Sequence, residues 1–530
     1  MKLKAFLKQI KQDNSSLETV QLSLKQNGNV KKLLAALNNE AYIGCKNISE
    51  LDLNGSNLAN EDIVTLVKIL NKYPNIKTLR LDNCNITDDH TSLHLVALEH
   101  VTSLSLRSNL LGKRPAFNGN LKALYLDDNP KLNVKVALLR FSTYANQLET
   151  LSLNNCKVKD EDLSLIMREG SHLKTLKQLH LHGNKLSVIG VLCLEGMDLL
   201  EVLDLGRNNQ IGDYGVSKLQ CPALHALNIE GCSLSLNVFE SLETLPKLHT
   251  VNLSYNPALK LYNKATGPSS LEQIKRVKLN FCQLKDENVP SFIALFPHLT
   301  HLEIANNQLT QVGVEDFLLA SKSLKAIDAS TNPIFSILSA KSQKAARANK
   351  TIATEKAKLE DLLLSVSQAT ELTHINLSST GLTDEMLLKF IPIEGSARKL
   401  RSINGIACTG LKAVLEERKL VAQAVAIPSV LVGEVIELEA KKPSKNVQIK
   451  GLKARVKDLE AQLAQAKATI TELQGAKVSD VPHEKGRVRK QVAQLEPKVS
   501  TQSMFASTAA KSKKENPPSE ASDVAELTRS

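Results

Sequence analysis

The stretch "LKTLKQLHLHGNKL", Leu173 to Leu186, places leucine at 176, 179, 181 and 186 with Asn184 before the last. In an extended chain successive side chains face opposite sides. Leu179 and Leu181 therefore share one face, and Gln178, His180 and His182 share the other. One such strand cannot bury its own leucines and needs a neighbour of the same design.

The neighbours are present. The phrase recurs from Ile48 ("ISELDLNGSNL") to Leu372 ("LTHINLSSTGL") in thirteen copies, mostly 24 to 28 residues apart. Stacked copies bury a common row of aliphatic side chains, and stability is shared between adjacent units. The position of Asn184 reads Ser56, Cys84, Asn109, Asn129, Cys156, Asn184, Asn208, Cys232, Asn256, Cys282, Asn307, Asn332 and Thr380 along the chain. An amide there has donors and an acceptor for turn backbone that meets no strand partner. The four cysteines of this column are expected to be buried and inert. Eight cysteines without a C-x-x-C pair support neither a zinc ribbon nor a redox motif, and free thiols fit a reducing compartment.

Period and pattern resemble the leucine-rich repeat. Apolar residues at helical spacing between the phrases, as in "NEDIVTLVKILNKYP" and "DEDLSLIMREGSHLK", resemble its ribonuclease-inhibitor-like subclass. The resemblance implies an α/β fold: a right-handed solenoid, or horseshoe, with a concave parallel sheet and convex helices. Residues 1–47 are read as an N-terminal cap, 48–411 as the solenoid and 412–440 as a C-terminal cap and linker. The interval from Leu324 to Leu372 is about double the usual one, so a helical insertion is expected near 337–366.

Beyond the solenoid, Ile449, Leu452, Val456, Leu459, Leu463, Ala466, Ile470 and Leu473 alternate in steps of three and four. This heptad seam predicts a coiled coil over 445–475, favouring a homodimer. Residues 476–530 are read as a basic tail, disordered by composition.

Charge narrows the function classes. Of the net +12, the segment 441–530 carries +8, from 18 Lys and Arg against 10 Asp and Glu. The repeat body is close to neutral, which argues against a general nucleic-acid-binding solenoid. Membrane contact is left to the basic segments alone. The opening "MKLKAFLKQIKQD" has lysines through its apolar run and is expected to form an amphipathic helix, not a signal peptide. No P-loop, G-x-S-x-G or H-E-x-x-H occurs.

The concave columns are where a partner protein is expected. The candidate binding residues are Arg80, Arg107, Tyr125, Asp127, His180, His182, Asp204, Lys278 and Glu303. His180 and His182 suggest metal only if a third ligand joins them, and none is evident in the sequence; no cofactor is expected. Two further resemblances bear on function. The order of parts resembles the leucine-rich-repeat, coiled-coil effectors that intracellular bacteria inject by type IV secretion, which implies a non-enzymatic scaffold made in the cytoplasm and delivered to a host cell. The strand-helix unit also resembles GTPase activators of the Ran type, in which case Arg80 would be the arginine of the site. A cytosolic adaptor that is not secreted is the third reading.

Overall fold

The structure is a computed structural model that describes residues 3–11, 18–22, 27–39, 47–137, 147–169, 171–261, 270–335, 346–390 and 400–408. All of them fall within one compact unit, residues 1–411. The heptad seam and the basic tail lie outside the described residues.

Fifteen three- or two-residue strands run parallel in sequence order, and a sixteenth, Ile406–Ala407, returns antiparallel to the fifteenth. Pairing is centre to centre: Leu151 faces Leu179, Leu179 faces Leu203 and Leu203 faces Leu227. Each repeat position therefore stacks on the same position of the next coil, and a column read in the sequence is a column in space. Leu176, Leu179, Leu181 and Leu186 are buried; removing a leucine side chain from water is worth about 1.5–3 kcal/mol.

Thirteen of the strands are the thirteen phrases. The other two came from segments with weaker signals. "LETVQL", Leu17 to Leu22, within the segment read as the N-terminal cap, has the spacing but no ladder residue, and Thr19–Gln21 pairs with Glu50–Asp52. Ser402–Ile403 pairs with His374–Ile375 and forms the fifteenth. Hydrophobic spacing is enough to extend the sheet even where the turn amide is missing.

Helices occupy the expected connections, including Asn60–Leu70 and Asp160–Glu169. Thr383 caps Asp384–Leu388, its side chain accepting from the amide of Met386. The long interval contains the helix Ala346–Gln368, which packs on Gln311–Ala320 and buries Leu359, Leu362 and Val366.

The ladder column closes the turns. Asn184 donates through Nδ2 to the carbonyls of Leu153 and Leu181 at 2.9 and 2.8 Å, and its Oδ1 accepts the amides of Cys156 and Val158 at 3.1 and 3.0 Å. It thus serves its own coil and the preceding one. At the cysteine positions the thiol keeps only the donor half: Sγ of Cys84, Cys156, Cys232 and Cys282 lies 3.3, 3.1, 3.2 and 3.4 Å from the carbonyl of Leu53, Leu126, Leu205 and Leu253. Burial pushes these thiols up, to about 11 for Cys84 and about 12 for the other three, so the reactive thiolate is suppressed.

One residue before the ladder, the backbone is left-handed in all thirteen repeats. The position holds glycine, asparagine, aspartate, serine or threonine in ten of them, but Arg207, Tyr255 and Phe281 in three consecutive non-glycine coils around Gly231.

Candidate functional site

The concave columns carry four connected groups of side chains. On the first coils, Arg80 Nε meets Glu50 Oε1 at 2.7 Å. The arginine that the GTPase-activator resemblance would use is thus tied to the preceding strand.

The second group centres on Asp127, which is 5% exposed. Its Oδ1 accepts from the Ser152 hydroxyl and from the Asn154 amide at 2.8 Å; its Oδ2 takes Arg107 Nε at 2.5 Å. Arg107 also lies over the Tyr125 ring, 4.5 Å from its centroid. Asp127 is therefore engaged in holding the strands and the arginine, and Arg107 and Tyr125 are the members that reach the surface. A buried carboxylate needs this many donors to offset its desolvation.

The third group contains both histidines. Leu179 and Leu181 point inward, as the spacing requires, and His180 and His182 are half-buried on the polar face. The His182 ring spans two strands: Nδ1 is 3.5 Å from Asp204 Oδ1 and Nε2 is 3.9 Å from Glu230 Oε1. It can do so because Gly206 lies between them. A Cβ there would stand 2.6 Å from His182 Nδ1 and 3.0 Å from Glu230 Cγ. Glu230 is shared further, with Arg207 Nε at 3.2 Å and Asn252 Nδ2 at 2.8 Å, and Asp204 accepts from Asn228 Nδ2 at 2.8 Å.

Neighbouring positions thus titrate in opposite directions. Asp204, with Glu230 adding, holds His182 above the ordinary histidine value despite burial and Arg207. Burial lowers His180, and Arg107 adds to that against Asp204 and Asp127. Among the described residues no group of three or more His, Cys, Asp or Glu is placed to hold a metal ion.

The fourth group is Lys278 with Glu303 at 3.0 Å, Asn280 donating to Glu303 at 3.2 Å.

The rim of this face holds what the spacing did not reveal. Tyr255 and Phe281 are 43% and 40% exposed, and their rings stack 4.4 Å apart at 12°. Arg207 lies over Tyr255 at 5.5 Å, with Gly231 on the coil between them. A bulky residue in the left-handed region costs about 1–2 kcal/mol, and an aromatic pair returns about 0.5–1.5 kcal/mol. The one sequence trace is position: these three residues stand immediately before the ladder residue, where the other ten coils have Gly, Asn, Asp, Ser or Thr.

Comparison with known proteins gives the same repeat. The sequence pattern of the family described as "Leucine Rich repeat" matches residues 199–219 and 297–318. The chain is similar to ribonuclease inhibitors: 24% identical over 274 residues to that of Sus scrofa and 22% over 280 to that of Mus musculus, covering 50% of this chain and 52% of each relative. It spans about half the length of the curated relatives it matches. Similar solved structures include an internalin from Listeria monocytogenes (17% identity, 72% of this chain and 95% of that one, TM-score 0.32). A leucine-rich-repeat protein from Leptospira interrogans is also similar (18%, 76% and 99%, TM-score 0.36). The chain thus carries leucine-rich repeats and has ribonuclease-inhibitor-like relatives.

Proposed function

We propose that this protein is a non-enzymatic scaffold that grips a protein partner on the concave face, with the Arg207–Tyr255–Phe281 rim as its anchor. The observation that supports this reading is the rim itself. Aromatics make up 3% of the chain, yet two stand exposed and stacked beside an arginine, on a backbone that disfavours them. Tyr and Arg are the residue types that most often dominate protein interfaces. The adjacent Asp204–His182–Glu230 and Lys278–Glu303 groups supply both signs of charge and set register more than affinity.

The test is affinity capture with the full chain and with Arg207→Ala/Tyr255→Ala/Phe281→Ala, quantified by mass spectrometry. The reading expects a retained protein whose recovery falls at least about tenfold in the variant with the melting temperature unchanged to within a few degrees. Identical recovery would remove the rim from the function.

Two finer parts belong to the same proposal. The heptad from Ile449 to Leu473 pairs two copies and gives avidity; equal sedimentation of Leu459→Lys and the natural chain would exclude this. The scaffold is a bacterial effector made in the cytoplasm and delivered to a host cell, and undiminished translocation after deletion of residues 500–530 would exclude the tail as its signal.

A further inference from the structure

The strands begin on an edge separate from the Arg207–Tyr255–Phe281 rim, and charge along that edge is divided. On the last seven parallel strands the two leading positions are His225 and Ala226, His249 and Thr250, Lys275 and Arg276, Thr300 and His301, Lys325 and Ala326, Thr373 and His374, and Arg401 and Ser402. These fourteen residues include four fixed cations and four histidines, and no carboxylate. The same two positions on the seven strands from Ser49 to Val202 hold three Glu and three Lys, with no histidine. One of those lysines, Lys177, is paired with Glu149 at 2.9 Å.

Main-chain bonds hold the basic row in register. The amide of His249 donates to the carbonyl of His225, Lys275 to His249, Thr300 to Lys275, Lys325 to Thr300, Thr373 to Lys325 and Arg401 to Thr373, all at 2.7–3.0 Å. Six such steps at ~4.8 Å make a row about 29 Å long. Lys275, Arg276, Lys325, Arg401, His249 and His374 are exposed, and none of the four fixed cations forms an ion pair among the described residues.

The histidines are held in a defined way. Thr300 Oγ1 donates to the Lys275 carbonyl at 3.1 Å and Thr373 Oγ1 to the Lys325 carbonyl at 2.9 Å. Each hydroxyl has then spent its proton. It can only accept from the neighbouring ring, His301 Nδ1 at 2.9 Å and His374 Nδ1 at 2.7 Å. With the hydroxyl proton on the carbonyl, Nδ1 is the protonated nitrogen of each neutral ring and Nε2 the one that gains a proton on acidification.

We propose that the edge from His225 to Arg401 is a second docking surface, which takes an acidic polypeptide segment and holds it more tightly as the pH falls below neutrality. The row, about 29 Å, matches an extended segment of about nine residues. None of its fourteen residues is aromatic, so it offers no platform for stacking bases. None of the exposed large hydrophobic side chains lies in it, so it lacks the apolar insertion that pairs with basic charge at membrane surfaces.

Burial, with His225, Arg276 and Lys275 beyond it, keeps His249 below the ordinary value; burial, with Arg276, Lys325 and His374, does the same for His301. Among the described residues, the other charged groups and histidines on these strands and on the loops that enter them are Lys218, Lys247, Glu272, Lys278, His298, Glu303, Lys322, Asp328, Glu371 and Lys389, and Glu201 leads the strand next to His225. Carboxylates of a bound segment favour the protonated rings, so binding takes up protons and tightens with acidification.

The test is binding of a fluorescent twelve-residue polyglutamate to the full chain at constant ionic strength, at pH 7.5 and pH 5.8. Three variants accompany it: Lys275→Ala/Arg276→Ala/Lys325→Ala, His249→Gln/His301→Gln/His374→Gln, and Lys77→Ala/Lys122→Ala on the mixed half of the edge. The basic tail, residues 476–530, is common to all, so differences between variants report the edge. The natural chain is expected to bind several-fold tighter at the lower pH. The first variant weakens binding at least about tenfold, the second keeps the pH 7.5 affinity but loses the pH response, and the third matches the natural chain. All these substitutions are at surface positions, and superimposable thermal melts exclude misfolding. Equal affinity in the first variant, or an undiminished pH response in the second, overturns the proposal. So does tighter binding of phosphatidylserine vesicles or a single-stranded oligonucleotide by the natural chain than by the first variant without a matching difference for polyglutamate.

Discussion

The ladder column and the concave columns are both polar and are separated by only two or four residues along the chain, yet they do opposite things. Asn208 is 1% exposed and bonds to Leu181, Leu205 and Gly206 carbonyls while accepting from the Leu186 amide. Asp204, four residues earlier, is half-buried and meets His182 and Asn228 on neighbouring strands. Position in the coil, not residue type, separates the group that closes the turn from the group on the concave face. Asp127 shows how close the two positions come, since it lies on the concave face and is as buried as a ladder residue.

The comparison is broken most forcefully at the ladder. Asn208→Leu strands several buried groups at 1–3 kcal/mol each and is expected to cost roughly 3 kcal/mol in chemical denaturation. Asn208→Cys keeps a donor, as the natural column does in four coils, and should cost about half as much. Asp127→Ala removes the acceptor of the Ser152 hydroxyl and of the Asn154 main-chain amide and frees Arg107; a loss of about 2 kcal/mol is expected from the same measurement. Tyr255→Gly removes a stacked ring but relieves a left-handed tyrosine, so stability should stay within about 1 kcal/mol while partner capture falls.

The smallest effects sharpen the contrast inside the face. His182 is raised in the fold, so its contribution is complete below about pH 6.5 and is lost as pH rises through the folded value. His180 is lowered, so its contribution is present above about pH 6.5 and is lost as pH falls through the folded value. Stability against pH should therefore flatten on the alkaline side in His182→Gln and on the acid side in His180→Gln. Parallel curves for the two variants would contradict the assignment of the two environments.

Most of the stack was legible because leucine spacing fixes both period and face. The Thr19–Gln21 strand was harder to place, because its coil lacks the ladder residue that marks the other turns. The concave columns were legible as columns, since register follows from the period. Their chemistry was less so. That Asp127 would be buried depends on Ser152 and Asn154, one strand away; that His182 would reach Glu230 depends on Gly206 having no Cβ. The left-handed position is not written in the spacing, because hydrophobic periodicity carries no backbone angle, and Arg207, Tyr255 and Phe281 are not the residues such an angle selects. The coiled coil predicted over 445–475 lies outside the described residues.

Thiol labelling measures inside and outside directly. In the native chain, Cys84, Cys156, Cys232 and Cys282 should resist a maleimide until the protein unfolds, while a cysteine introduced on the concave face by Asn228→Cys should label in the folded state. Native labelling of Cys156 and Cys232 at the rate of the Asn228→Cys thiol would show that the ladder is not interior, and the stacked-coil account would fail with it.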